Sequence, residues 1–219
     1  MRNTLDKGLE QINNELIEMG TLVEISIDRA ITALKTQDLK LSKSVKKYLD
    51  KVDEMEKNIE STALHILVSQ QPVARDLRLI SVALKLITDM QRIADQAYNI
   101  AEISRQLIKK TFIKNPQFIV DMSEKSVSMV TRALDAFINR DYELAKQVIA
   151  DDDEVDTLFT VVRDDLINLI NEDKSAGDQC IDLIMIAKYL ERIADHAVNI
   201  SSWVIYYITG KHSSNELSE

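Results

Sequence analysis

The sequence predicts an all-α protein made of two tandem three-helix bundles, an internal repeat with six long helices. Three observations carry this. Only four glycines and two prolines occur in 219 residues. Average usage would put roughly twelve per cent in those two types, and a sheet protein needs them at its turns. Apolar residues recur at helical spacing over long stretches. The two halves of the chain also match each other in register.

The few breakers place the helices near 4–36, 38–70, 72–111, 117–139, 141–172 and 177–209. At 1.5 Å per residue, a rod of 32 residues spans about 48 Å. Gly20 falls inside the first helix, where it costs about 1 kcal/mol relative to alanine. Asp38 and Asp141 follow the polar breaks Lys35–Gln37 and Asn139–Arg140, and each can cap the next helix by accepting its free amide hydrogens. Pro72 suits the first turn of the third helix. Pro116 separates two periodic stretches. Gly177 lies in a polar run, and Gly210 follows an apolar run as a C-terminal glycine does. The tail 211–219 has too little apolar content to pack and is expected to be disordered.

The repeat is explicit. Ala30, Ile31, Ala33, Leu34 and Asp38 correspond to Ala133, Leu134, Ala136, Phe137 and Asp141, an offset of 103. Val45, Val52 and Asp53 map in the same way onto Val148, Val155 and Asp156. Farther on the offset becomes 100, and Gln91–Ile100 matches Glu191–Ile200 at seven of ten positions. The three-residue difference falls near the loop before the third helix, where length changes are tolerated. Residues 1–114 and 115–210 are therefore the two repeats, with the seam near Pro116. Whether the bundles lie side by side or end to end is left open by the pattern.

Composition narrows the function. A net charge of −9 argues against broad nucleic-acid binding through phosphates, which needs a basic face. The N-terminal residues show no apolar core of a secretion signal, and no apolar run approaches the ~20 residues that span a bilayer. A cytoplasmic protein without membrane insertion is expected. Cys180, alone in an apolar context, reads as a core residue. Trp203, Tyr206 and Tyr207 read as core aromatics, and Arg75 and Arg78 as partners of Asp76. His65, His196 and His212 lack the spacings of ferritin-like or zincin sites, and there are too few glycines for a phosphate-binding loop. His65 reads as a structural histidine.

The remaining chemistry is in carboxylates. Glu191 and Asp195 leave one face of the sixth helix a turn apart, opposite the apolar sector of Ala187, Leu190, Ala194 and Ala197. Asp152 and Asp156 repeat that spacing on the fifth helix, which an up-down bundle packs beside the sixth. Four carboxylates on facing helices would suit hard cations with oxygen ligands. The same strip also fits a solvated surface, with Arg192 neutralising a neighbour.

The string Gln71-Pro72-Val73-Ala74-Arg75-Asp76-Leu77-Arg78, the motifs Arg92-Ile93-Ala94-Asp95 and Arg192-Ile193-Ala194-Asp195, and the ending Trp203–Gly210 resemble the PhoU family of phosphate-uptake regulators. The resemblance runs from about residue 5 to 210. It implies paired three-helix bundles, frequent homodimerisation and a cytoplasmic negative regulator of high-affinity phosphate uptake and phosphate-starvation signalling. Its implied partners are the ATPase of the phosphate ABC transporter and a phosphate-sensing histidine kinase, with no catalytic residue. It further implies metal binding by paired acidic motifs. The second repeat matches fully, with Asp152, Asp156, Glu191 and Asp195. The first departs twice, because Leu49 and Gln91 stand where acids are expected, leaving Asp53 and Asp95. Asymmetric binding of iron, manganese, magnesium or zinc, stronger in the second repeat, follows from the lost charges. The alternative from another class is a carboxylate-bridged metalloenzyme.

Overall fold

The computed structural model describes residues 2–108 and 117–211. Pro116, His212, residues 109–111 of the expected third helix and the tail from 212 lie outside the described residues. Among those described, all regular structure is helical. The elements are α1 (Arg2–Thr36), α2 (Leu39–Ser69), α3 (Ala74–Leu107), α4 (Gln117–Asn139), α5 (Tyr142–Ala150), α6 (Asp152–Glu172) and α7 (Gly177–Thr209). A single 3₁₀ turn, Lys174–Ala176, leads into α7.

The apolar periodicity becomes core as expected. On α1, Ile12, Leu16, Met19, Val23, Ile27, Ala30 and Leu34 point inward and are buried. Each large aliphatic side chain removed from water stabilises the fold by about 1.5–3 kcal/mol. The inward sector of α7, including Ala187, Leu190, Ala194 and Ala197, is likewise buried, and so is Cys180. Trp203, Tyr206 and Tyr207 are half-buried and pack against this core from its edge.

The turns that open the second helical rod of each repeat are built alike. Gln37 and Arg140, equivalent across the offset of 103, both adopt the left-handed region, at φ 56° and 53°. In each case the next amide reaches back to close the preceding helix, Asp38 N to Ala33 O at 3.1 Å and Asp141 N to Ala136 O at 2.9 Å. The same aspartates then cap the following helix. Asp38 accepts from the amides of Lys40 and Leu41, and Asp141 from that of Leu144.

Two expectations about helix bounds need correction. The stretch 141–172 is not one rod: it breaks at Asp151 into α5 and α6. Asp151 receives the Glu154 amide in a tight i to i+3 bond of 3.1 Å, and its side chain is held by Arg132 of α4. Four consecutive acids, 151–154, also favour the start of a helix over its middle, because they answer its positive end. Pro72 lies in the connection before α3, not in its first turn. Val73 is extended at the N-cap, and Gln71 and Ala74 have φ of 48° and 26°.

α1, α2 and α3 form one bundle, and α4, α5–α6 and α7 the other. The structure answers the open question of arrangement: α3 and α7 run antiparallel along each other, so the bundles lie side by side. Arg78 lies over Tyr206, Lys85 over Trp203, and Asp89 meets His196 and Asn199. Continuing that register brings Ile93 level with Ile193, its equivalent in the repeat. α1 and α4 add a second contact between bundles. At Gly20 a Cβ would come within 3.1 Å of Leu134 of α4, so the glycine permits this close approach.

Candidate functional site

The break at Asp151 makes Asp152 the first residue of α6, with Asp156 one turn on. α7 packs against α6 and carries Glu191 and Asp195. Lys188 of α7 fixes the register: its ammonium lies 5.3 Å from the centre of the Phe159 ring on α6 and also pairs with Glu191. Three residues before Glu191, Lys188 is its natural helical partner. Arg192, the expected neutraliser, lies instead over Tyr189.

The four predicted acids are linked electrostatically through Asp152 and Asp195. Loss of hydration, followed by the charges of Asp156, Asp195, Asp153 and Glu191, pushes the Asp152 carboxyl up to about 6. Asp195, although exposed as a residue, is also raised. Partial burial of its carboxyl leads, then Glu191 and Asp156, against opposing pulls from Lys188 and His196. Among the described residues, no three His, Cys, Asp or Glu side chains converge as a preformed metal centre. The side chains therefore share a field without sharing a point. What fits a hard cation is the donor chemistry: oxygen only, with four formal charges against one lysine.

The first repeat resolves the same location differently. Leu49, at the position of Asp152, is buried in the core. Gln91, at the position of Glu191, donates its side-chain amide to Asp53 Oδ1 at 3.2 Å and to Asp95 Oδ2 at 3.0 Å. A neutral amide thus clasps the two acids from between them. Arg92 adds a looser contact to Asp95 at 3.6 Å. Glu56, which the motif comparison does not pick out, completes this cluster. Its carboxyl is raised by burial and by Asp53, Glu60 and Asp95, against Arg92. Its position three residues after Asp53 is the signal that would have found it.

The seam between bundles contains further polar residues. Asp89, buried on α3, has His196 Nδ1 at 2.9 Å and accepts from the Asn199 amide at 3.3 Å. His196 is thus a partner of the opposite repeat, while His65 is exposed on α2. Arg78 does not answer Asp76 as expected: it donates to the Tyr207 carbonyl at 3.4 Å, at the end of α7 where helix carbonyls favour a cation. Gly210 closes α7 at φ 75°, and a Cβ there would strike the Arg78 guanidinium at 2.6 Å. Arg75 borders a separate cleft with Asp76, Asp6, Glu10 and Arg140.

Two side-by-side three-helix bundles, with acids at matching positions on the last two rods of each repeat and complete acidic pairs in the second repeat alone, define a class of duplicated helical protein. The PhoU domain matches this chain twice, over residues 16–104 and 119–204. The chain belongs to the PhoU family. A Clostridium acetobutylicum relative, named a phosphate-specific transport system accessory protein PhoU homolog, is 36% identical over 211 residues, covering 96% of each chain. The Pseudomonas aeruginosa protein of the same name is 35% identical over 205 residues, 92% of this chain and 84% of that one. The crystal structure of PhoU from Pseudomonas aeruginosa superposes with a TM-score of 0.91 at 34% identity, covering 94% of this chain and 99% of the other. Among the described residues, no helix is long and apolar enough to cross a membrane.

Proposed function

We propose that this chain is an accessory regulator of phosphate-specific transport. It acts in the cytoplasm as a helical adaptor between the transporter's ATPase and a phosphate-sensing histidine kinase, and it restrains uptake and starvation signalling when phosphate is plentiful. The observation that supports this most is the match of both repeats, across nearly the whole chain, to accessory proteins of that transport system. Long helical faces suit an adaptor, since each rod offers an extended surface to a partner helix. The chain pairs with a second copy, as the family resemblance implies.

The second-repeat acids are the part of this reading that takes a ligand. Asp152, Asp156, Glu191 and Asp195 would hold a divalent or trivalent ion, with iron, manganese, magnesium and zinc all compatible. A bound cation supplies positive charge among the carboxylates. The protein's own contribution is to hold those carboxylates on two packed helices, with Lys188 neutralising one of them. The same four-acid donor set favours the second reading, a carboxylate-bridged metalloenzyme. Turnover with iron and oxygen, abolished by Glu191→Gln, would establish that alternative.

The adaptor role is tested by capturing the transporter ATPase and the sensor kinase on the purified chain, beside expression of phosphate-starvation genes in a deletion strain. Binding to at least one partner and raised expression at high phosphate are expected. Binding to neither, with unchanged expression, overturns the role.

A further inference from the structure

Two arginines border one cleft between the bundles, and neither has a carboxylate partner among the described residues. Arg75 is in the first turn of α3, where the positive helix end disfavours a cation. Arg140 holds a left-handed conformation at φ 53°, and its guanidinium lies 5.4 Å from the centre of the Tyr207 ring. The cleft has a volume of about 360 Å³. Small-molecule sites usually enclose about 300–1,000 Å³. Leu9, Leu79, Phe137 and Ile138 give it an apolar lining, while Asp6, Glu10 and Asn13 line it from one face of α1. No ion pair within 4.0 Å joins Asp6, Glu10 or Asp76 to either arginine.

The repeat shows that this set is not a by-product of duplicated packing. The positions equivalent to Arg75, Asp76, Arg140 and Tyr207 hold Ser175, Ala176, Gln37 and Leu107. Gln37 adopts the same left-handed turn as Arg140, so the turn itself does not call for an arginine. Leu107 is buried and presents no ring. The cleft is also apart from the second-repeat acids, because Tyr207 lies twelve residues beyond Asp195, about 18 Å along α7.

We propose that this cleft binds a guanine nucleotide. A guanidinium laid on an aromatic ring offers its other flat face to a base, and Arg140 over Tyr207 has that form. The ionised acids of the α1 face accept hydrogen bonds only. Guanine presents two donors side by side, N1–H and the N2 amine, and one carboxylate receives both. Adenine instead sets the N1 acceptor beside its amine, which a carboxylate repels. Asp6 and Glu10 therefore take the guanine edge, and the Asn13 amide donates to O6. Asp76 accepts from the ribose hydroxyls. The phosphates go to Arg75 and to the first amides of α3, for which Val73 at the N-cap supplies no side-chain acceptor. A bare oxyanion would answer the arginines but set its charge against three carboxylates, and a simple cation would do the reverse. The inference goes beyond the adaptor role and depends neither on it nor on a metal.

The test is titration calorimetry of the purified full chain with GDP, ADP, UDP and inorganic pyrophosphate, with a chelator present. GDP is expected to bind at one site per chain, about tenfold or more tighter than each of the other three. Arg140→Gln, a side chain that the equivalent turn already carries, and Arg75→Ser should each weaken GDP binding about tenfold or more. Thermal melts check that both variants keep the fold. Asp6→Asn combined with Glu10→Gln separates base recognition from general electrostatics. It should weaken GDP binding and leave pyrophosphate binding unchanged or tighter, because it removes negative charge. No saturable binding by about 1 mM GDP, another probe binding as tightly as GDP, or indifference to both arginine substitutions would overturn the proposal. So would a gain in GDP affinity on neutralising the two acids, which would make the cleft a plain anion site. Partner capture is run without nucleotide, so failure of either experiment leaves the other reading standing.

Discussion

The two repeats place acids at matching positions and treat them differently. In the first, two of the four motif carboxylates remain and the Gln91 amide hydrogen-bonds both, with Glu56 as a third acid beside them. In the second, four carboxylates lie on two packed helices with Lys188 paired to Glu191, and loss of hydration, followed by the neighbouring negative charges, pushes Asp152 up to about 6. A duplicated backbone therefore does not impose duplicated chemistry. Substituting Gln for Glu at one position turns a charge-repelling pair into a hydrogen-bonded clasp.

The largest expected effect breaks that comparison directly. Combined Asp152→Asn and Glu191→Gln should weaken Mn²⁺ or Mg²⁺ binding by about 100-fold, or about 2.7 kcal/mol, measured by calorimetry. Asp53→Asn with Asp95→Asn should change it little. Equal losses in the two repeats would show that the asymmetry is wrong.

Next in size is the seam. Asp89→Ala leaves His196 and Asn199 without their shared acceptor and should cost about 2 kcal/mol in urea unfolding. Gln96, the first-repeat equivalent of His196, has a buried side-chain oxygen with no hydrogen-bond partner. Gln96→Leu should therefore be neutral or slightly stabilising, and a cost as large as that of Asp89→Ala would contradict this account of the seam.

A smaller effect depends on pH. The folded-state value of Asp152 lies above its unfolded value of 3.8, so folding favours the protonated form. That contribution is complete below pH 4 and is lost as pH rises through about 6. Asp152→Asn should thus stabilise the metal-free protein at pH 8 by about 1 kcal/mol after allowing for solvent screening, and give no gain below pH 4. Urea melts across that range, with chelator present, would register it. A gain that persisted at low pH would assign it to something other than charge.

The smallest effect tests where the repeats agree. Gln37→Gly and Arg140→Gly relieve the same left-handed strain and should each stabilise by about 0.5–1 kcal/mol in thermal melts. A gain at only one position would mean that the two turns differ in more than sequence.

Much of the fold was legible in the chain. The scarcity of Gly and Pro excluded sheets, the apolar spacing located the rods, and Asp38 and Asp141 marked caps that form as expected. The break at Asp151 was less legible, because the periodicity of α5 continues into α6 and the tight turn depends on Arg132 from another helix. The acidic site was half legible. Spacing identified Asp152, Asp156, Glu191 and Asp195 as neighbours, yet the partner of Glu191 proved to be Lys188, not Arg192. In the first repeat, Leu49 and Gln91 showed that charge was missing, but not that the Gln91 amide would span Asp53 and Asp95.

By itself, the sequence determined what is local or repeated: helix type, caps, the inward stripe of each rod and the doubling of the unit. These depend on backbone preference and on apolar period, which act over a few residues. Tertiary structure alone decided that the bundles lie side by side, that Asp89 answers His196 across 107 positions, and that Arg78 closes the end of α7. Such contacts depend on which helix faces which and at what level, and two amphipathic rods can satisfy their apolar faces in several arrangements. The packing of α3 against α7 selects one of them, and only then does each polar side chain acquire its partner.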